Sequence, residues 1–227
     1  MKDPTVEKKS RAAKAAMDFI KPNMCIGLGS GSTSEIALRY IAELAPSMNL
    51  CGIPSSEEIA SLARSYSIPL KDYSEVSMTD LVIDGADEVD PDYQMIKGGG
   101  GALLREKINL LHTKKRIIIV DESKLVNTLG AFPLPLEVNP FGYETIRTLL
   151  FENHEISSEL RKREDKPFLT DNGNYILDAS FGMIKEPEVL DNILKNIPGI
   201  LETGLFIRLI DVLIIGGEEI IIEKVKS

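Results

Sequence analysis

The sequence predicts an α/β fold, in which a parallel β-sheet flanked by helices is joined to a smaller α+β domain. Short apolar segments alternate with segments of helical periodicity as far as about residue 125, and a mixed pattern of strands and helices follows. Strands that alternate with helices form parallel sheets, because each helix carries the chain back to the edge where the strands begin. The 227 residues suffice for one large domain or two small ones.

The elements of the first half follow one another in a regular rhythm. A first helix is expected from Pro4, a residue suited to the first helical position, to Ile20. Apolar residues spaced three and four apart predict a second helix over 34–45, which Pro46 should end. The other segments are apolar strands at 24–29, 50–54, 80–87 and 116–123 and helices at 56–66 and 102–112.

The second half predicts an α+β domain of about 70 residues, with a boundary near Gly130 to Pro133. A hairpin is expected over 168–180, because Asn172-Gly173 lies between alternating apolar positions. The stretch 211–225 has a buried-strand pattern and is expected to rejoin the first sheet. The remaining elements are strands at 133–138 and 155–164 and helices at 141–153 and 187–197.

Composition and charge narrow the class of function. A formal charge of −9 and a pI near 4.9, without a basic stripe, argue against nucleic acid or an anionic membrane as partner. No apolar run approaches the ~18 residues of a membrane span. The N-terminal segment is too charged for a signal peptide, so a cytoplasmic protein is expected. Cys25 and Cys51 lie in short apolar runs, which favours buried, reduced thiols over a metal or redox pair.

The segment GLGSGST, residues 27–33, follows the first strand and opens the second helix. Glycines allow a tight turn, and hydroxyls, backbone N–H groups and the positive end of the helix together suit a phosphate. The glycine spacing differs from the dinucleotide fingerprint, and the lysine of a P-loop is missing. The segment therefore predicts a phosphate site without a nucleotide. The alternative is a structural turn with a serine cap.

Acidic residues collect in DGADEVD, residues 84–90. Asp84 and Asp87 come at the end of an apolar strand, so we expect them to be partly desolvated, with at least one raised pKa suited to proton transfer. A solvated acidic turn is the alternative, and it suits Glu88, Asp90 and Asp92. A metal loop is a further reading, although the calcium-binding pattern is absent.

Four consecutive glycines follow Lys97 and open a helix that carries Glu106. Successive backbone N–H groups can stabilise an oxyanion, and Lys97 is expected to add a positive charge at the rim. Arg105, Glu106 and Lys107 are alternatively a solvated helix face. The sequence has no nicotinamide, nucleotide or metal pattern. The phosphate loop, the carboxylates, the glycine run and Lys97 together suit cofactor-free proton transfer beside the carbonyl of a small phosphorylated substrate. Aldose–ketose isomerisation through an enediolate is such a reaction.

Several motifs in this order resemble ribose-5-phosphate isomerase of the A type. They are GLGSGST, LVIDGADEVD, MIKGGGGALLREK, VDESK, FPLPLEV, TDNGNYILD and IPGILETGLF, which together span essentially the whole chain. The resemblance implies interconversion of ribose 5-phosphate and ribulose 5-phosphate without metal or cofactor, by a homodimer or homotetramer. It also implies a Rossmann-like catalytic domain, residues 1–130 with 205–227, and a ferredoxin-like domain, residues 131–204.

The resemblance further implies roles for individual residues. Glu106 resembles the general base that moves a proton between C1 and C2. Asp84 and Asp87 resemble acids that bind sugar hydroxyls and assist ring opening, and Lys97 resembles a group that stabilises the enediolate. The residues that resemble substrate contacts are Ser30, Gly31, Ser32, Thr33, Gly85, Ala86, Gly98, Gly99, Gly100 and Lys124. Lys9 occupies a position where some relatives place a phosphate-contacting lysine.

Two rival functions remain open at this point. A non-catalytic sugar-phosphate sensor has a similar fold, but such domains are joined to a DNA-binding helix-turn-helix, and only about 23 residues precede the first strand here. A CoA-transferase or folate cyclo-ligase uses the same type of sheet. It would need a nucleotide-sized site, whereas these segments offer a small phosphate cradle.

Overall fold

The computed structural model describes residues 4–225, with the backbone alone for residues 153 and 154. The α-helices of this range are α1 (Pro4–Ala16), α2 (Ser32–Met48), α3 (Glu57–Ser65), α4 (Leu103–Leu111), α5 (Tyr143–His154) and α6 (Pro187–Lys195). The first strands are β1 (Cys25–Leu28), β2 (Cys51–Pro54), β3 (Leu81–Asp84), β4 (Glu88–Val89), β5 (Met95–Ile96), β6 (Arg116–Asp121) and β7 (Leu134–Val138). The later strands are β8 (Ser157–Leu160), β9 (Lys162–Arg163), β10 (Lys166–Pro167), β11 (Tyr175–Ser180), β12 (Ile200–Thr203), β13 (Leu205–Phe206), β14 (Val212–Gly216) and β15 (Ile220–Lys224).

The chain divides into two compact units. Among the described residues, the first contains 4–86, 105–125 and 208–225, and the second contains 87–104 and 126–207. The division expected from the sequence differs, because it assigns 87–104, 126–130 and 205–207 to the first domain. In the structure 87–104 contains β4 and β5, and β5 pairs with β13 of the second unit. No helix among the described residues is long and apolar enough to cross a membrane.

The first unit is built on a six-stranded sheet in the order β15-β14-β6-β3-β1-β2. All neighbouring pairs from β14 to β2 are parallel, which confirms the predicted sheet. The edge strand β15 is antiparallel, because it follows β14 through a tight turn rather than a helix. The C-terminal stretch therefore rejoins the first sheet, as expected, but it adds one parallel and one antiparallel strand.

Close packing of α1 against the sheet depends on small residues. Ala12, Ala13 and Ala16 on α1 are fully buried in the main apolar cluster. A Cβ on Gly216 of β14 would lie 2.0 Å from the carbonyl oxygen of Lys8, so the helix could not approach a larger residue so closely. The central strands β1, β3, β6 and β14 are buried almost throughout, which explains their continuous apolar sequence.

Two helices end at positions that the sequence did not indicate. The first α-helix stops at Ala16, and a 3₁₀ turn occupies Met17–Phe19. The expected end of α2 at Pro46 is wrong, since the helix continues to Met48. Pro46 lies inside this helix and removes one N–H from its hydrogen bonds, but it does not end the helix. Asn49, in a left-handed conformation with φ of 54°, ends α2 by donating its N–H to Ala45.

The second unit contains a four-stranded antiparallel sheet in the order β12-β7-β11-β8. Its elements occur as strand, helix, strand, strand, helix, strand, which matches the ferredoxin-like arrangement implied by the resemblance. A second apolar cluster includes residues of β7 and β11 together with α5 and α6. This cluster is the core of the smaller unit.

The expected hairpin at Asn172-Gly173 forms only in part. Gly173 has a φ of 77°, and the N–H of Thr170 bonds the carbonyl of Asn174, so the turn is present. Residues 168–170 nevertheless form no strand. Side chains of Thr170, Asn172 and Asn174 all donate to the fully buried carboxylate of Glu137 in β7. A buried carboxylate needs such donors, so the turn is bound to β7 instead of continuing a ladder.

Candidate active site

Three loops of the first unit lie at the carboxyl ends of adjacent strands. They follow β1, β3 and β6, which are neighbours in the sheet. The chain runs from β1 to β2 on one side and then crosses to β3 on the other, so the strand order reverses between β1 and β3. Ligands of open α/β sheets bind at such a reversal, beyond the carboxyl ends of the strands.

The loop after β1 leads directly into the first turn of α2. Gly31 has a φ of 90°, a left-handed conformation that favours glycine, and α2 begins at the next residue. N–H groups in the first turn of a helix have no acceptor within the helix, and the helix dipole adds positive potential there. No side chain caps α2. The serine cap of the alternative interpretation is therefore not formed.

The serines of this loop bond to other parts of the first unit. The hydroxyl of Ser30 lies 2.7 Å from that of Ser55 and 3.1 Å from that of Ser56, whose oxygen caps α3. Lys9 on α1 donates to the hydroxyl of Ser32 at 2.9 Å, so its ammonium group reaches the loop. Ser55 and Ser56 were not predicted as site residues. The sequence feature that could have indicated them is their position directly after the strand β2, which lies beside β1.

Asp84 ends β3 with its side chain fully buried. Its Oδ1 accepts hydrogen bonds from the hydroxyl of Ser34 at 3.2 Å and from the N–H of Gly85 at 2.8 Å. Gly29 packs directly against this carboxylate, because a Cβ at Gly29 would lie 2.1 Å from Oδ1. Ser34 was not predicted, although its place in the first turn of α2 brings it to the same end of the sheet.

Glu106 lies in the first turn of α4 and is almost completely buried, with 4% of its surface exposed. Arg105 bonds Glu57 at the start of α3 at 3.0 Å, and Asn109 bonds the carbonyl of Ile53 in β2 at 3.2 Å. These contacts attach the beginning of α4 to α3 and its last turn to β2. The alternative of a solvated helix face is wrong for Glu106 and for the equally buried Lys107.

Lys124 follows β6 in the 3₁₀ turn Glu122–Lys124. The carboxylate of Asp121 accepts the N–H of Ser123 at 3.0 Å and so determines where the turn begins. Lys124 is half-buried, and no carboxylate of the described residues forms an ion pair with it. Because β6 and β1 run parallel in one sheet, Lys124 lies at the same end of the sheet as the loop after β1.

The glycine run belongs to the second unit, where Gly98 and Gly101 adopt left-handed φ values of 102° and 85°. The N–H of Gly101 closes a turn onto the carbonyl of Gly98 at 3.0 Å, and the N–H of Gly99 donates to Oδ2 of Asp87 at 2.8 Å. A Cβ on Gly99 would lie 2.8 Å from Oδ1 of Asp87. A Cβ on Gly100 would contact nothing within 4 Å, so the fold does not require glycine at that position.

Lys97 does not lie at a rim, as the sequence had suggested, because only 2% of its surface is exposed. Its N–H bonds the carbonyl of Gly204, and its ammonium group lies 5.6 Å from the ring centre of Phe206. A lysine buried at this level needs partners that compensate for lost hydration. The ring of Phe206 supplies part of that compensation.

The solvated-turn interpretation is wrong for Glu88, which is 3% exposed and accepts the N–H groups of Gly130 and Phe132 at 2.7 and 2.5 Å. Asp90 is half-buried and accepts the N–H groups of Asp92 and Gln94. Desolvation raises the pKa of Asp90 above its ordinary value, although these two hydrogen bonds lower it. Asp92 alone of the three is exposed. Among the described residues, no three His, Cys, Asp or Glu side chains are grouped as for a metal.

Comparisons with known proteins agree with the architecture and with the motifs. The family model for ribose 5-phosphate isomerase A (phosphoriboisomerase A) matches residues 51–220. Ribose-5-phosphate isomerase A of Agrobacterium fabrum is 47% identical over 217 residues, covering 93% of this chain and 94% of the relative. That of Maricaulis maris is 44% identical over 224 residues, covering 94% and 95%.

Solved structures give the same similarity. A D-ribose-5-phosphate isomerase in complex with phospho-erythronic acid superposes with a TM-score of 0.92 at 38% identity, covering 96% of this chain and 98% of that one. Ribose 5-phosphate isomerase from Plasmodium falciparum superposes with a TM-score of 0.91 at 36% identity, covering 97% and 98%.

Proposed function

The chain belongs to the ribose 5-phosphate isomerase A family, and we propose that it interconverts D-ribose 5-phosphate and D-ribulose 5-phosphate through an enediolate, with Glu106 as general base. Isomerisation of ribose 5-phosphate follows from the family and from the similarity along the whole chain. The observation that supports the choice of base is the burial of Glu106 in the first turn of α4, next to Arg105, which bonds the start of α3.

Glu106 is proposed to take the proton from C2 of the aldose and return it to C1. A carboxylate can serve as both base and acid in one cycle, because the proton it accepts is the proton it donates. The bond of Arg105 to α3 restrains the first turn of α4, and the bond of Asn109 to β2 restrains its last turn. A restrained base costs less reorganisation when the proton moves.

The negative charge of the enediolate is assigned to Lys97 and to the backbone of Gly98, Gly99 and Gly100. A positioned donor that meets such a charge contributes on the order of 10²–10³ in rate. The open space around Gly100 supports this assignment, since a substrate atom can approach its main chain. Phospho-erythronic acid, the ligand of the similar solved structure, carries both a phosphate and a carboxylate.

Asp84 and Asp87 are proposed to bind sugar hydroxyls, to assist ring opening and to move protons on oxygen. Gly85 and Ala86, between them, are proposed to contact the substrate through the main chain. The hydrogen bonds to Asp84 from Ser34 and Gly85 support a fixed orientation of its carboxylate. Asp87 is oriented in the same way by the N–H of Gly99.

The phosphate is assigned to the loop of Ser30, Gly31, Ser32 and Thr33 and to Lys124. Two features support this assignment, the uncapped start of α2 and the position of the half-buried Lys124 directly after β6. Lys9 is added to the set because it already bonds Ser32. Cation and N–H donors suit the dianionic phosphate of a pentose phosphate.

We propose that the reaction needs neither metal nor cofactor and takes place in the cytoplasm as the activity of a homodimer or homotetramer. The free thiols of Cys25 and Cys51, in register on β1 and β2, suit a reducing compartment. The edge strand β15 supports an oligomer, since Ile220, Ile221 and Ile222 are 45%, 52% and 44% exposed. Sedimentation equilibrium of the protein and of its Ile221→Lys variant tests this association.

A coupled assay of ketose formation tests the proposed activity. Ribose 5-phosphate should be converted, and unphosphorylated ribose should be converted far less efficiently because it lacks the phosphate contacts. A sugar-phosphate sensor would bind ribose 5-phosphate without turnover, and a CoA-transferase or folate cyclo-ligase would leave it unchanged. Binding without ketose formation would therefore contradict the proposal.

A further inference from the structure

Arg161 makes a set of contacts that the proposed reaction does not yet use. It lies between β8 and β9 in the second unit, and 15% of its side chain is exposed. Its Nη1 donates to the carbonyl oxygens of Gly98 at 2.8 Å and of Gly99 at 3.1 Å. Its Nε donates to Oδ2 of Asp178 at 2.9 Å, and its Nη2 donates to Oδ1. One guanidinium group thus joins the glycine run to β11.

The arginine is held at both ends. Its N–H bonds the carbonyl of Ile176 and its carbonyl accepts the N–H of Phe168, both at 2.9 Å, so its backbone is fixed. The two-point ion pair with Asp178 then fixes the plane of the guanidinium group. A lysine at this position would supply a single point charge without the planar fork.

The contact with Gly99 determines the direction of the next N–H group. The carbonyl of Gly99 and the N–H of Gly100 belong to one peptide group, and none of the described peptide bonds is cis. In a trans peptide the N–H points away from the carbonyl. The N–H of Gly100 therefore points away from Arg161, and within the described residues it has no hydrogen-bond acceptor.

Glycine peptides need such a restraint more than others do. Glycine reaches conformations closed to other residues, so a run of four glycines has many alternative orientations of its N–H groups. Asp87 fixes the Gly98–Gly99 peptide by accepting the N–H of Gly99. Arg161 fixes the Gly99–Gly100 peptide by donating to the carbonyl of Gly99. A cation on the carbonyl also polarises the peptide and strengthens its N–H as a donor.

We propose that Arg161 is a positioning residue for the isomerisation, which orients the Gly99–Gly100 peptide so that the N–H of Gly100 donates to the enediolate oxygen, while Asp178 orients Arg161. The proposal rests on the proposed function of the glycine run. Arg161 acts through the main chain and does not itself touch the substrate. Its effect belongs to the transition state, because the enediolate charge develops only there.

The experiment compares Arg161→Met with Lys162→Met, which removes a positive charge from the exposed neighbouring residue. Loss of one oriented donor should lower kcat roughly 10²-fold and leave KM for ribose 5-phosphate within about threefold. Affinity for phospho-erythronic acid should fall in proportion to kcat, whereas inhibition by inorganic phosphate should not change. Arg161→Lys should fall between the protein and Arg161→Met. Lys162→Met should behave as the unchanged protein.

Other outcomes would overturn the proposal. An unchanged kcat in Arg161→Met shows that the peptide needs no restraint, and an equal loss of affinity for phosphate and for phospho-erythronic acid shows a merely structural role. Should Arg161→Met fail to fold, Asp178→Asn preserves the shape and weakens the hold on Arg161. It is expected to show the same selective loss of affinity for phospho-erythronic acid on a smaller scale. An equal change in affinity for phosphate and for phospho-erythronic acid would again refute the proposal. Absence of turnover in the unchanged protein would instead contradict the proposed function.

Discussion

Gly29 and Asp84 approach each other so closely that a Cβ on Gly29 would stand 2.1 Å from Oδ1 of the carboxylate. The two residues lie at the carboxyl ends of neighbouring strands, and the N–H of Gly29 bonds the carbonyl of Ile83 at 3.0 Å. The glycine therefore serves the placement of an acid rather than the conformation of its own loop. Its φ is not among the left-handed values that require glycine.

Gly29→Ala is expected to displace the Asp84 carboxylate and to lower kcat at least tenfold. Overpacking of this kind also costs roughly 1–3 kcal/mol in the free energy of unfolding. Steady-state kinetics and chemical denaturation measure the two effects. Gly142→Ala is the control, since a Cβ there meets nothing within 4 Å and φ is −115°. A fully active Gly29→Ala would remove Asp84 from the proposed reaction.

Gly100→Ala should separate stability from activity. A Cβ meets no atom within 4 Å, and φ is not left-handed, so the free energy of unfolding should stay equal or rise by about 0.4–1 kcal/mol. The methyl group would nevertheless occupy the space in which the substrate approaches the main chain, so kcat/KM should fall. Thermal unfolding and the ketose assay test this. Unchanged kcat/KM would show that no substrate atom comes close to Gly100.

Glu106→Gln is expected to lower kcat by roughly 10²–10⁴ with little change in KM, because the amide keeps the shape and loses the basicity. The measurement is initial-rate kinetics on ribose 5-phosphate. Glu58→Gln provides the comparison, as Glu58 is an exposed carboxylate on α3. Near-normal turnover in Glu106→Gln would exclude Glu106 as the base.

Lys124→Ala is expected mainly to raise KM for ribose 5-phosphate and to reduce discrimination against ribose. A phosphate contact far from the reacting carbons contributes mostly uniform binding, which affects KM more than kcat. Lys21→Ala, at an exposed lysine before β1, should leave both constants unchanged. Equal KM values for the protein and Lys124→Ala would place the phosphate elsewhere.

Asp80→Asn tests a pH-dependent contribution to stability. Burial alone would raise the pKa of Asp80, but hydrogen bonds from Lys114 at 2.7 Å and from the N–H of Cys25 at 2.9 Å, with the charge of Lys114, lower it overall. The folded state therefore binds the proton less tightly than the unfolded state. The stabilisation is present above the unfolded pKa of about 4 and is lost as pH falls through the lower folded pKa.

The difference in unfolding free energy between the protein and Asp80→Asn should thus be larger at pH 7 than at pH 3. It should not exceed about 1 kcal/mol, since the Lys114 side chain is 64% exposed and water screens the pair. Urea denaturation at the two pH values measures it. A difference that grew toward pH 3 would contradict the lowered pKa.

Local sequence patterns determined the buried strands of the first sheet and the loop that precedes α2. Continuous apolar runs at β1, β3, β6 and β14 specify strands buried on both faces, and such strands occur in parallel sheets. The glycine and serine pattern of 27–33 specifies a loop that opens a helix, because it depends on conformations of adjacent residues. Sequence alone therefore predicted the fold class and the loops at the strand ends.

Tertiary structure decided what depends on partners distant in the chain. Glu88 is a structural acceptor because Gly130 and Phe132 meet it, and residues 168–170 leave the hairpin because Glu137 binds their turn. Arg161 bonds Gly98 and Gly99, which are 63 and 62 positions away in the sequence. It precedes a run of exposed residues, 162–167, and the sequence pattern did not mark it as a site residue. Periodicity reports which face of an element is buried. It does not report which polar group the buried face will contact. Such contacts form because burying an unpaired charge is costly in free energy.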